Sequence, residues 1–256
     1  MNSISNQRFE GKVCVITGGT CGIGLALAER VISEGASVVV CSVGKDIKEQ
    51  VENLRNKRVN KTAQRVEGLF VDVTSKQDRQ NLVNLVEKEF GRIDVLFVNA
   101  GIAFQMYGQL NMPESTFDQL FAVNVKGAFY TIKDCLELLK KGKNPNILVT
   151  SSYSVPMPNK SVGVYGMTKA AMSNMVVWLA QELEPDNIRV NGINPGMVNT
   201  NMTPVKLRNI TQKIPRIISE PHNVASIAAM ITSDDGSFIN GESHVIESKV
   251  LENYKI

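Results

Sequence analysis

The sequence predicts the α/β fold class, with a parallel β-sheet covered by helices on both faces. Short apolar runs alternate along the whole chain with longer segments of helical periodicity. Most runs are nearly continuous in Val and Ile, which is typical of strands buried on both faces. Seven such runs joined by crossover helices indicate one doubly wound domain over residues 1–256. The predicted strands are 12–17, 37–41, 67–71, 94–98, 146–150, 189–193 and 243–246.

Two of the segments between strands carry specific helix signals. Thr74 and Gln77 fit a capping box in front of a helix over 78–90. Another helix is predicted over 115–140, and Asn124 inside it is a poor helix former. We therefore expect a local irregularity at Asn124, with a water site. The alternative is an asparagine that faces solvent.

Composition and charge argue against several classes of function. The chain is 43% apolar and has a net charge of +3 with scattered basic residues, so neither disorder nor nucleic-acid binding is indicated. No apolar run approaches the ~20 residues that span a membrane. The N-terminus is not that of a signal peptide, and residues 253–256 are not a peroxisomal ending. We expect a cytoplasmic protein.

The cysteines and histidines predict no metal site and no disulfide framework. The cysteines have no C-x2-C spacing and are expected to be free thiols of a reducing compartment. They are Cys14, Cys21, Cys41 and Cys135. A helix N-terminus could lower the pKa of Cys21, whereas the alternative is a small residue that fills a turn.

Residues 17–24 read Thr-Gly-Gly-Thr-Cys-Gly-Ile-Gly and stand between an apolar run and a helical segment. Glycines let the backbone approach a pyrophosphate, and a helix N-terminus offers free N–H groups. This strand–turn–helix order predicts a Rossmann-like dinucleotide site, with an ordinary tight turn as the alternative. The residues assigned to it here are Gly18, Thr20, Cys21, Gly22, Ile23 and Gly24.

A second pattern carries acid–base chemistry. Tyr165 and Lys169 are four residues apart at the start of a predicted helix, so they share one face. An ammonium near a phenol lowers a pKa that is ~10 when free, which suits proton transfer with a carbonyl or alcohol oxygen. The same spacing arises by chance in roughly every second chain of this size.

Ser152 strengthens that pattern because it follows the predicted strand 146–150. A hydroxyl at a strand C-terminus lies in the ligand crevice of a parallel sheet and can hold a substrate oxygen beside the tyrosine. Ser151 and Ser154 are competing hydroxyls. The alternative is a serine-rich strand exit whose hydroxyls satisfy the local backbone.

The ends of the predicted strands 94–98 and 189–193 also carry motifs that suit a cofactor site. Asn99–Gly101 would let a cofactor lie close to the backbone, and Pro195 with Gly196 turns the chain away from the sheet. Thr200 is placed to hydrogen-bond an amide. An ordinary Pro-Gly turn is the alternative for this last motif. The segment 199–218 that follows breaks the strand–helix rhythm and is a candidate substrate lid.

Taken in order, these residues resemble the short-chain dehydrogenase/reductase family. The resemblance covers about residues 9–246 and includes Asp72 and Arg189-Val190-Asn191 besides the motifs above. Within the family, the sequence is most similar to NADPH-dependent carbonyl and retinal reductases of the dehydrogenase/reductase member 4 type. The segments that carry this finer likeness are 9–13, 35–39, 152–154 and 187–192.

The resemblance implies hydride transfer between NADP(H) and a ketone, aldehyde or retinal-like carbonyl, or the matching alcohol, by a homodimer or homotetramer. Tyr165 would be the general acid/base, Lys169 would bind the nicotinamide ribose and lower the Tyr165 pKa, and Ser152 would orient the carbonyl. Asn124 would hold a relay water, and Asp72 would contact the adenine. The other implied cofactor residues are Val73, Asn99, Ala100, Gly101, Pro195, Gly196, Val198 and Thr200, with Thr200 holding the carboxamide.

The end of the second strand bears on the choice of cofactor. NAD-preferring members of the family have an acidic residue where this chain has Ser42, so NADP(H) is favoured over NAD(H). The preference is expected to be weak because Cys21 and Val43 stand where basic residues are common. Ser42 and Lys45 then remain for the 2′-phosphate, and each lost charge-assisted contact costs ~1.5–3 kcal/mol.

Three other positions depart from the family's pattern. Val98 replaces the first Asn of N-N-A-G, and Glu247 with Ser248 replaces a common Gly-Gly, which would alter a subunit contact. The 199–218 segment is shorter than in similar members, so the pocket is expected to be more open. Two alternatives stay open: an NAD-linked alcohol dehydrogenase of the same family, and a catalytically weak binding or regulatory protein on this fold.

Overall fold

A computed structural model describes residues 7–104, 109–204 and 218–247. The strands are β1 (Val13–Thr17), β2 (Ser37–Ser42), β3 (Val66–Phe70), β4 (Val95–Val98), β5 (Asn146–Thr150), β6 (Arg189–Pro195) and β7 (Ser243–Ile246). They form one parallel sheet in the order β3-β2-β1-β4-β5-β6-β7. The predicted fold class is confirmed, and each predicted strand coincides with an observed one.

Helices cover both faces of this sheet. They are α1 (Gly22–Ser33), α2 (Ile47–Asn56), α3 (Lys76–Glu89), α4 (Glu114–Phe121), α5 (Ala128–Lys140), α6 (Gly163–Glu182) and α7 (Pro221–Thr232). Alternate strand residues face opposite sides: Val15 and Val39 pack with α3, α5 and α6, whereas Ile16 and Val38 pack with α1, α2 and α7. Strands buried on both faces explain why the runs are apolar without alternation.

The start of α3 differs from its prediction. The N-cap is Ser75, whose hydroxyl accepts a hydrogen bond from the Asp78 N–H at 3.2 Å. Thr74 instead donates its hydroxyl to Asp72 Oδ1 at 2.7 Å. The predicted capping box of Thr74 and Gln77 is therefore wrong, because the Thr74 hydroxyl hydrogen-bonds the Asp72 carboxylate instead of the helix backbone.

The predicted helix 115–140 is divided into three parts. Between α4 and α5 lies a π-helical turn, Ala122–Gly127, which contains Asn124. A Cβ on Gly127 would lie 2.7 Å from Val73 Cγ2, so the glycine lets this turn pack against the end of β3. The irregularity expected at Asn124 is confirmed, and π-helical turns are frequent at functional sites.

The strand order places a crevice at the centre of the sheet. From β1 the chain proceeds outward to β2 and β3, and it then returns to the other side of β1 with β4. In an open α/β sheet, ligands bind beyond the carboxyl ends of the strands at this switch point. The glycine-rich stretch, Asn99 and Ser152 all follow strands that end there.

Candidate active site

The loop between β1 and α1 has little room for side chains at its glycine positions. Gly18 and Gly22 have φ of +64° and +53°. A Cβ on Gly18 would lie 3.1 Å from Ala100 Cα, and a Cβ on Gly24 would lie 2.1 Å from Gly18 O. Cys21, the N-cap of α1, makes no side-chain cap bond, and the first turn holds no acidic residue. The first amides of α1 can therefore face an anion.

Hydrogen bonds fix this loop to the end of β4. Thr17 Oγ1 accepts from the backbone N–H groups of Asn99 and Ala100, both at 3.0 Å. The Asn99 side chain donates to Thr17 O at 3.1 Å and to Gly18 O at 3.4 Å. Asn99 therefore binds the loop itself. Thr17 was not predicted as a site residue. Its place as the last residue of β1 could have indicated this role.

Cys21 differs from its functional expectation. Burial raises the pKa of its thiol, and the nearby Asp46 carboxylate raises it further. The lowering that a helix N-terminus could cause is therefore not found, and the alternative, a small residue that fills the turn, fits the structure. The other three cysteines are buried, and all four are free thiols.

The loop after β6 lies against the glycine-rich loop. A Cβ on Gly22 would lie 3.1 Å from Thr200 Cγ2, so these two sequence-predicted residues are adjacent. Pro195 and Val198 are buried, and the positions between them turn the chain away from β6. The backbone N–H of Met197 donates to the Glu247 carboxylate at 3.2 Å, so this departure from the family pattern caps the turn at Gly196.

The predicted lid is described only at its ends. Val198 pairs with Ser219 in an isolated parallel bridge, and the Asn199 N–H donates to Ser219 O at 2.9 Å. These contacts hold the two ends of the 199–218 segment together. Most of that segment, residues 205–217, lies outside the described residues, as does Ser248.

The implied adenine contacts lie in a turn after β3. Asp72 Oδ1 accepts from the Thr74 N–H at 2.8 Å and from its hydroxyl, so that oxygen is engaged within the turn. Val73 is buried against the π-helical turn. Asp72 keeps partial exposure, and its role toward adenine stays a prediction.

The residues expected to meet a 2′-phosphate follow β2. Ser42 Oγ accepts from the Gly44 N–H at 3.1 Å. Val43 and Lys45 are exposed. Asp46 also faces this loop and was not predicted as a site residue. In Rossmann-like sites an acidic residue about 20 residues after the glycines contacts the ribose, and this spacing was the available signal.

Tyr165, Lys169 and Ser152 meet where β5 ends and α6 begins. A hydrogen bond links the side chains of Ser152 and Tyr165. The Lys169 ammonium lies 5.5 Å from the centroid of the Tyr165 ring and donates to Thr150 O at 2.8 Å. The three residues predicted to carry the chemistry are thus brought together.

The protonation behaviour of this group differs from the expectation. Burial raises the pKa of Tyr165 to about 12, against the lowering effect of the Ser152 hydrogen bond. Burial also lowers the pKa of Lys169 to about 8. The predicted net lowering of the Tyr165 pKa is therefore wrong in this structure, because burial dominates. Removing the phenolate from water outweighs an ammonium that lies over the ring face and hydrogen-bonds a backbone carbonyl.

The three serines after β5 have different surroundings. Ser151 is buried, donates to Lys169 O at 2.8 Å and accepts from Ser173 Oγ at 2.9 Å. Ser151 therefore joins α6 to the sheet and does not compete for a substrate. Ser154 donates its N–H to Ser152 Oγ at 3.1 Å, and its own buried hydroxyl has no partner within the described ranges. Ser154 remains an alternative to Ser152.

Asn124 connects the π-helical turn to the site. It is fully buried, so the solvent-facing alternative is wrong. Its Oδ1 accepts from Ile102 N at 2.8 Å, and its Nδ2 donates to Ile102 O at 2.9 Å and to Thr168 Oγ1 at 3.0 Å. A Cβ on Gly101 would lie 3.2 Å from Asn124 Oδ1 and 3.4 Å from Lys169 Nζ. Both side chains therefore lie beside Gly101, where a larger residue would crowd them.

Comparison with known proteins identifies the family. The chain matches the short chain dehydrogenase family over residues 12–210. It belongs to the short-chain dehydrogenase/reductase family. It is 36% identical over 255 residues to dehydrogenase/reductase SDR family member 4 of Caenorhabditis elegans, covering 95% of this chain and 96% of that protein. It is 34% identical over 248 residues to tropinone reductase-like 3 of Erythroxylum coca, with 94% and 93% covered.

A solved structure extends the similarity to the fold. A short-chain dehydrogenase/reductase from Brucella melitensis, described as SDR:Glucose/ribitol dehydrogenase, superposes with a TM-score of 0.83 at 29% identity. The match covers 93% of this chain and 96% of that one. The predicted family, its likeness to member 4 relatives, and the enzyme class of NAD(P)-dependent short-chain dehydrogenase/reductases are confirmed.

The observed cradle fits the nicotinamide dinucleotide that the family implies. The glycine positions of the loop have little space for side chains, and the first turn of α1 offers amides without an acidic residue in that turn. Elsewhere in the described ranges, no three potential His, Cys, Asp or Glu ligands are grouped for a metal ion. No described helix is both long enough and apolar enough to cross a membrane.

Proposed function

We propose that this short-chain dehydrogenase/reductase interconverts a ketone, aldehyde or retinal-like carbonyl and the matching alcohol, with NADP(H) as the favoured cofactor. The observation that supports this most directly is the hydrogen-bonded pair of Ser152 and Tyr165 with the Lys169 ammonium over the phenol ring. When bound, the nicotinamide supplies or accepts the hydride at the substrate carbon.

Tyr165 acts as the general acid in the reductive direction. A pKa of about 12 keeps the phenol protonated at neutral pH, so it can donate to the carbonyl oxygen as that oxygen gains negative charge. Ser152 is the second hydroxyl that holds this oxygen. In the oxidative direction the phenolate form of Tyr165, formed when the phenol has first lost its proton, accepts the alcohol proton.

Lys169 supports the tyrosine through its charge. With a pKa of about 8, the buried amine is mostly protonated at pH 7, and its ammonium stabilises the phenolate left after proton transfer. The Asn124 side chain is held by hydrogen bonds to the Ile102 backbone and to the Thr168 hydroxyl. Its Oδ1 can accept a second hydrogen bond, which suits the proposed relay water.

The weak preference for NADP(H) rests on Ser42, because no carboxylate occupies the end of β2 to exclude a 2′-phosphate. The alternative is that the enzyme is an NAD-linked alcohol dehydrogenase of the same family. A cytoplasmic location stays a prediction of the sequence.

A panel assay tests the proposed activity. Purified protein is mixed with NADPH or NADH and with simple dicarbonyls, aromatic ketones and retinal, and cofactor oxidation is followed by absorbance. We expect turnover with at least one carbonyl class. Cofactor binding without turnover across the panel would support the binding or regulatory alternative instead.

We also propose that the enzyme assembles through two apolar surfaces into a homotetramer, with a homodimer as the alternative. The first surface is exposed on α6, where Trp178 stacks on Phe129 with ring centroids 6.2 Å apart and Met167 lies on the same helix. The second includes Phe238, which is fully exposed in the segment before β7, and the half-exposed Val245 on the edge strand β7. Clustered exposed apolar side chains are typical of subunit interfaces.

Single charge substitutions test this assembly. Trp178→Glu and Phe238→Glu are each expected to reduce the tetramer to smaller species in sedimentation velocity, because each places a carboxylate in an apolar contact. Glu184→Gln, at an exposed site outside the residues that define the two surfaces, is the control and should leave the assembly unchanged. A wild-type monomer, or an unchanged tetramer in both glutamate variants, would contradict the proposal.

A further inference from the structure

The first turn of α6 begins without a cap from its own segment. Its N-cap residue is Val162, whose apolar side chain forms no cap hydrogen bond, and the turn contains no acidic residue. The opening N–H groups of a helix have no partner within the helix itself, and helix ends fray. Tyr165 lies in this turn, three residues after the N-cap, so the proposed acid/base depends on how well the helix start is held.

Gln109 caps this turn from a distant segment. Its Oε1 accepts a hydrogen bond from the Val164 N–H at 3.2 Å, although the two residues are 55 positions apart. Val164 is the second helical residue, whose N–H is one of the groups that a local N-cap side chain usually binds. The Gln109 Nε2 group donates to Ser161 O at 3.1 Å, just before the helix. One side chain therefore holds both the entry to α6 and its first turn.

The surroundings of Gln109 keep its side chain in this place. Gln109 is half-buried and begins a short 3₁₀ turn, Gln109–Asn111, in which its carbonyl accepts from the Met112 N–H at 3.2 Å. A Cβ on Gly163 would lie 3.9 Å from both Gln109 Cβ and Cγ. The stem of the glutamine thus lies beside the first helical residue, and its amide reaches the backbone on either side.

The carbonyl of Tyr165 is held from the same part of the chain. Thr168 Oγ1 donates to Tyr165 O at 2.7 Å and accepts from Asn124 Nδ2 at 3.0 Å. Asn124 in turn bonds the backbone N–H and carbonyl of Ile102. Ile102 and Gln109 both belong to the connection between β4 and α4. This connection therefore secures the tyrosine at two points, through the cap before it and through its own carbonyl.

The other two members of the catalytic group are anchored elsewhere. Lys169 lies one turn further along α6, where it is buried and donates to Thr150 O at 2.8 Å. Ser152 Oγ accepts from the Ser154 N–H at 3.1 Å in the segment after β5. Neither contact involves Gln109. Loss of the cap would therefore loosen Tyr165 relative to Ser152 and Lys169, which keep their own anchors.

We infer that Gln109 is a positioning residue for the reaction: by capping α6 from another segment, it holds the Tyr165 hydroxyl beside Ser152. Gln109 has this role only if Tyr165 transfers the proton, so the inference rests on the proposed function. A misplacement of about 1 Å at a reacting group can lower a rate by up to about hundredfold. Even a modest loosening of the first turn is therefore visible in kcat.

Three variants separate the cap from simple packing. Gln109→Met keeps the length of the side chain and removes both of its hydrogen-bonding groups. Gln109→Glu keeps an oxygen for the Val164 N–H, and its charge suits a helix N-terminus. Gln119→Met makes the same change at an exposed position of α4 and is the control. Each variant is compared with wild type by hydrogen exchange of the 163–166 amides, read by mass spectrometry, and by steady-state kinetics with a carbonyl that is active in the panel.

In Gln109→Met we expect exchange over 163–166 to accelerate about fivefold, as for a typical lost cap, and kcat per cofactor-binding site to fall about tenfold. KM and the Kd for NADPH should stay within about twofold, because the change affects the transition state alone. Calorimetry counts the binding sites, so a loss of folded protein is not mistaken for a loss of kcat. Gln109→Glu should keep kcat within about threefold of wild type, because the cap oxygen is retained. Gln119→Met should match wild type in both measurements.

The possible failures are distinguishable. Unchanged exchange over 163–166 in Gln109→Met, or faster exchange with unchanged kcat, overturns the inference and leaves the proposed function standing. An equal loss of kcat in Gln109→Glu also overturns it, because the cap oxygen would then not be the group that matters. If the wild-type protein reduces no carbonyl of the panel, the proposed function fails and the inference fails with it, whatever the exchange rates are.

Discussion

Replacement of Tyr165 by Phe is expected to lower kcat/KM for carbonyl reduction by about 10³-fold, within the range for loss of a general acid. The substitution removes the phenolic O–H that donates the proton and keeps the ring, whose face is beneath the Lys169 ammonium. Cofactor affinity should stay within about twofold, because the phenylalanine ring fills the same space. Steady-state kinetics and calorimetry on one preparation would measure both quantities.

Tyr130→Phe is the matched control for this result. Tyr130 lies on α5, where its ring packs under the Arg79 guanidinium, away from Ser152 and Lys169. Loss of its hydroxyl should leave turnover unchanged. Near-normal reduction by the Tyr165→Phe variant would refute the assigned acid, and Ser152 or Ser154 would then have to supply the proton.

Lys169→Met is expected to lower the activity and to raise the stability of the folded protein. Carbonyl reduction should fall at least hundredfold, because the phenolate that forms at Tyr165 loses its neighbouring charge. The folded protein, in contrast, gains from the change: burial lowers the Lys169 pKa from 10.5 to about 8, so its protonated form costs about 3 kcal/mol. Loss of the hydrogen bond to Thr150 O offsets part of that gain.

The pH dependence of unfolding distinguishes this account from a simple cavity or packing effect. The folded pKa of Lys169 lies below its unfolded value, so the unfolded chain binds more protons between pH 8 and 10.5 and wild-type stability rises there through this group. The methionine variant lacks this rise. Its free energy of unfolding relative to wild type should therefore decrease by about 2 kcal/mol between pH 7 and 9.5.

Urea unfolding at these two pH values measures the change, with Lys133→Met, at an exposed position on α5, as the control. A difference between the Lys169→Met variant and wild type that stays constant with pH would mean that Lys169 is not the buried, destabilising cation described above.

The fold was predictable because its signals are local. Each central strand is a run such as 13–16 or 38–40 that is buried on both sides, so its sequence alone marks it. The glycine-rich turn was also visible in the sequence, and a Cβ on Gly24 would lie only 2.1 Å from Gly18 O, so a side chain does not fit there without a shift of the backbone. Even the break at Asn124 was visible as an unfavourable residue in a helical segment.

What the sequence did not predict depends on contacts between distant segments. The choice of Ser75 over Thr74 as a helix cap followed from the Asp72 carboxylate beside the threonine. The raised pKa of Tyr165 comes from packing by several elements, and no residue spacing reports burial. The direction of the Asp46 side chain also required the structure, because the sequence equally allows it to cap α2.

Transfer of isotope from the cofactor tests the central claim most directly. The wild-type enzyme would be supplied with NADPH or NADH deuterated at the transferring position of C4, together with a carbonyl found active in the panel, and the alcohol analysed by mass spectrometry. Our account predicts one deuterium on the carbinol carbon, with labelled alcohol formed about 10³-fold more slowly by the Tyr165→Phe variant under the same conditions. An unlabelled alcohol, or equal labelling by that variant, would contradict it.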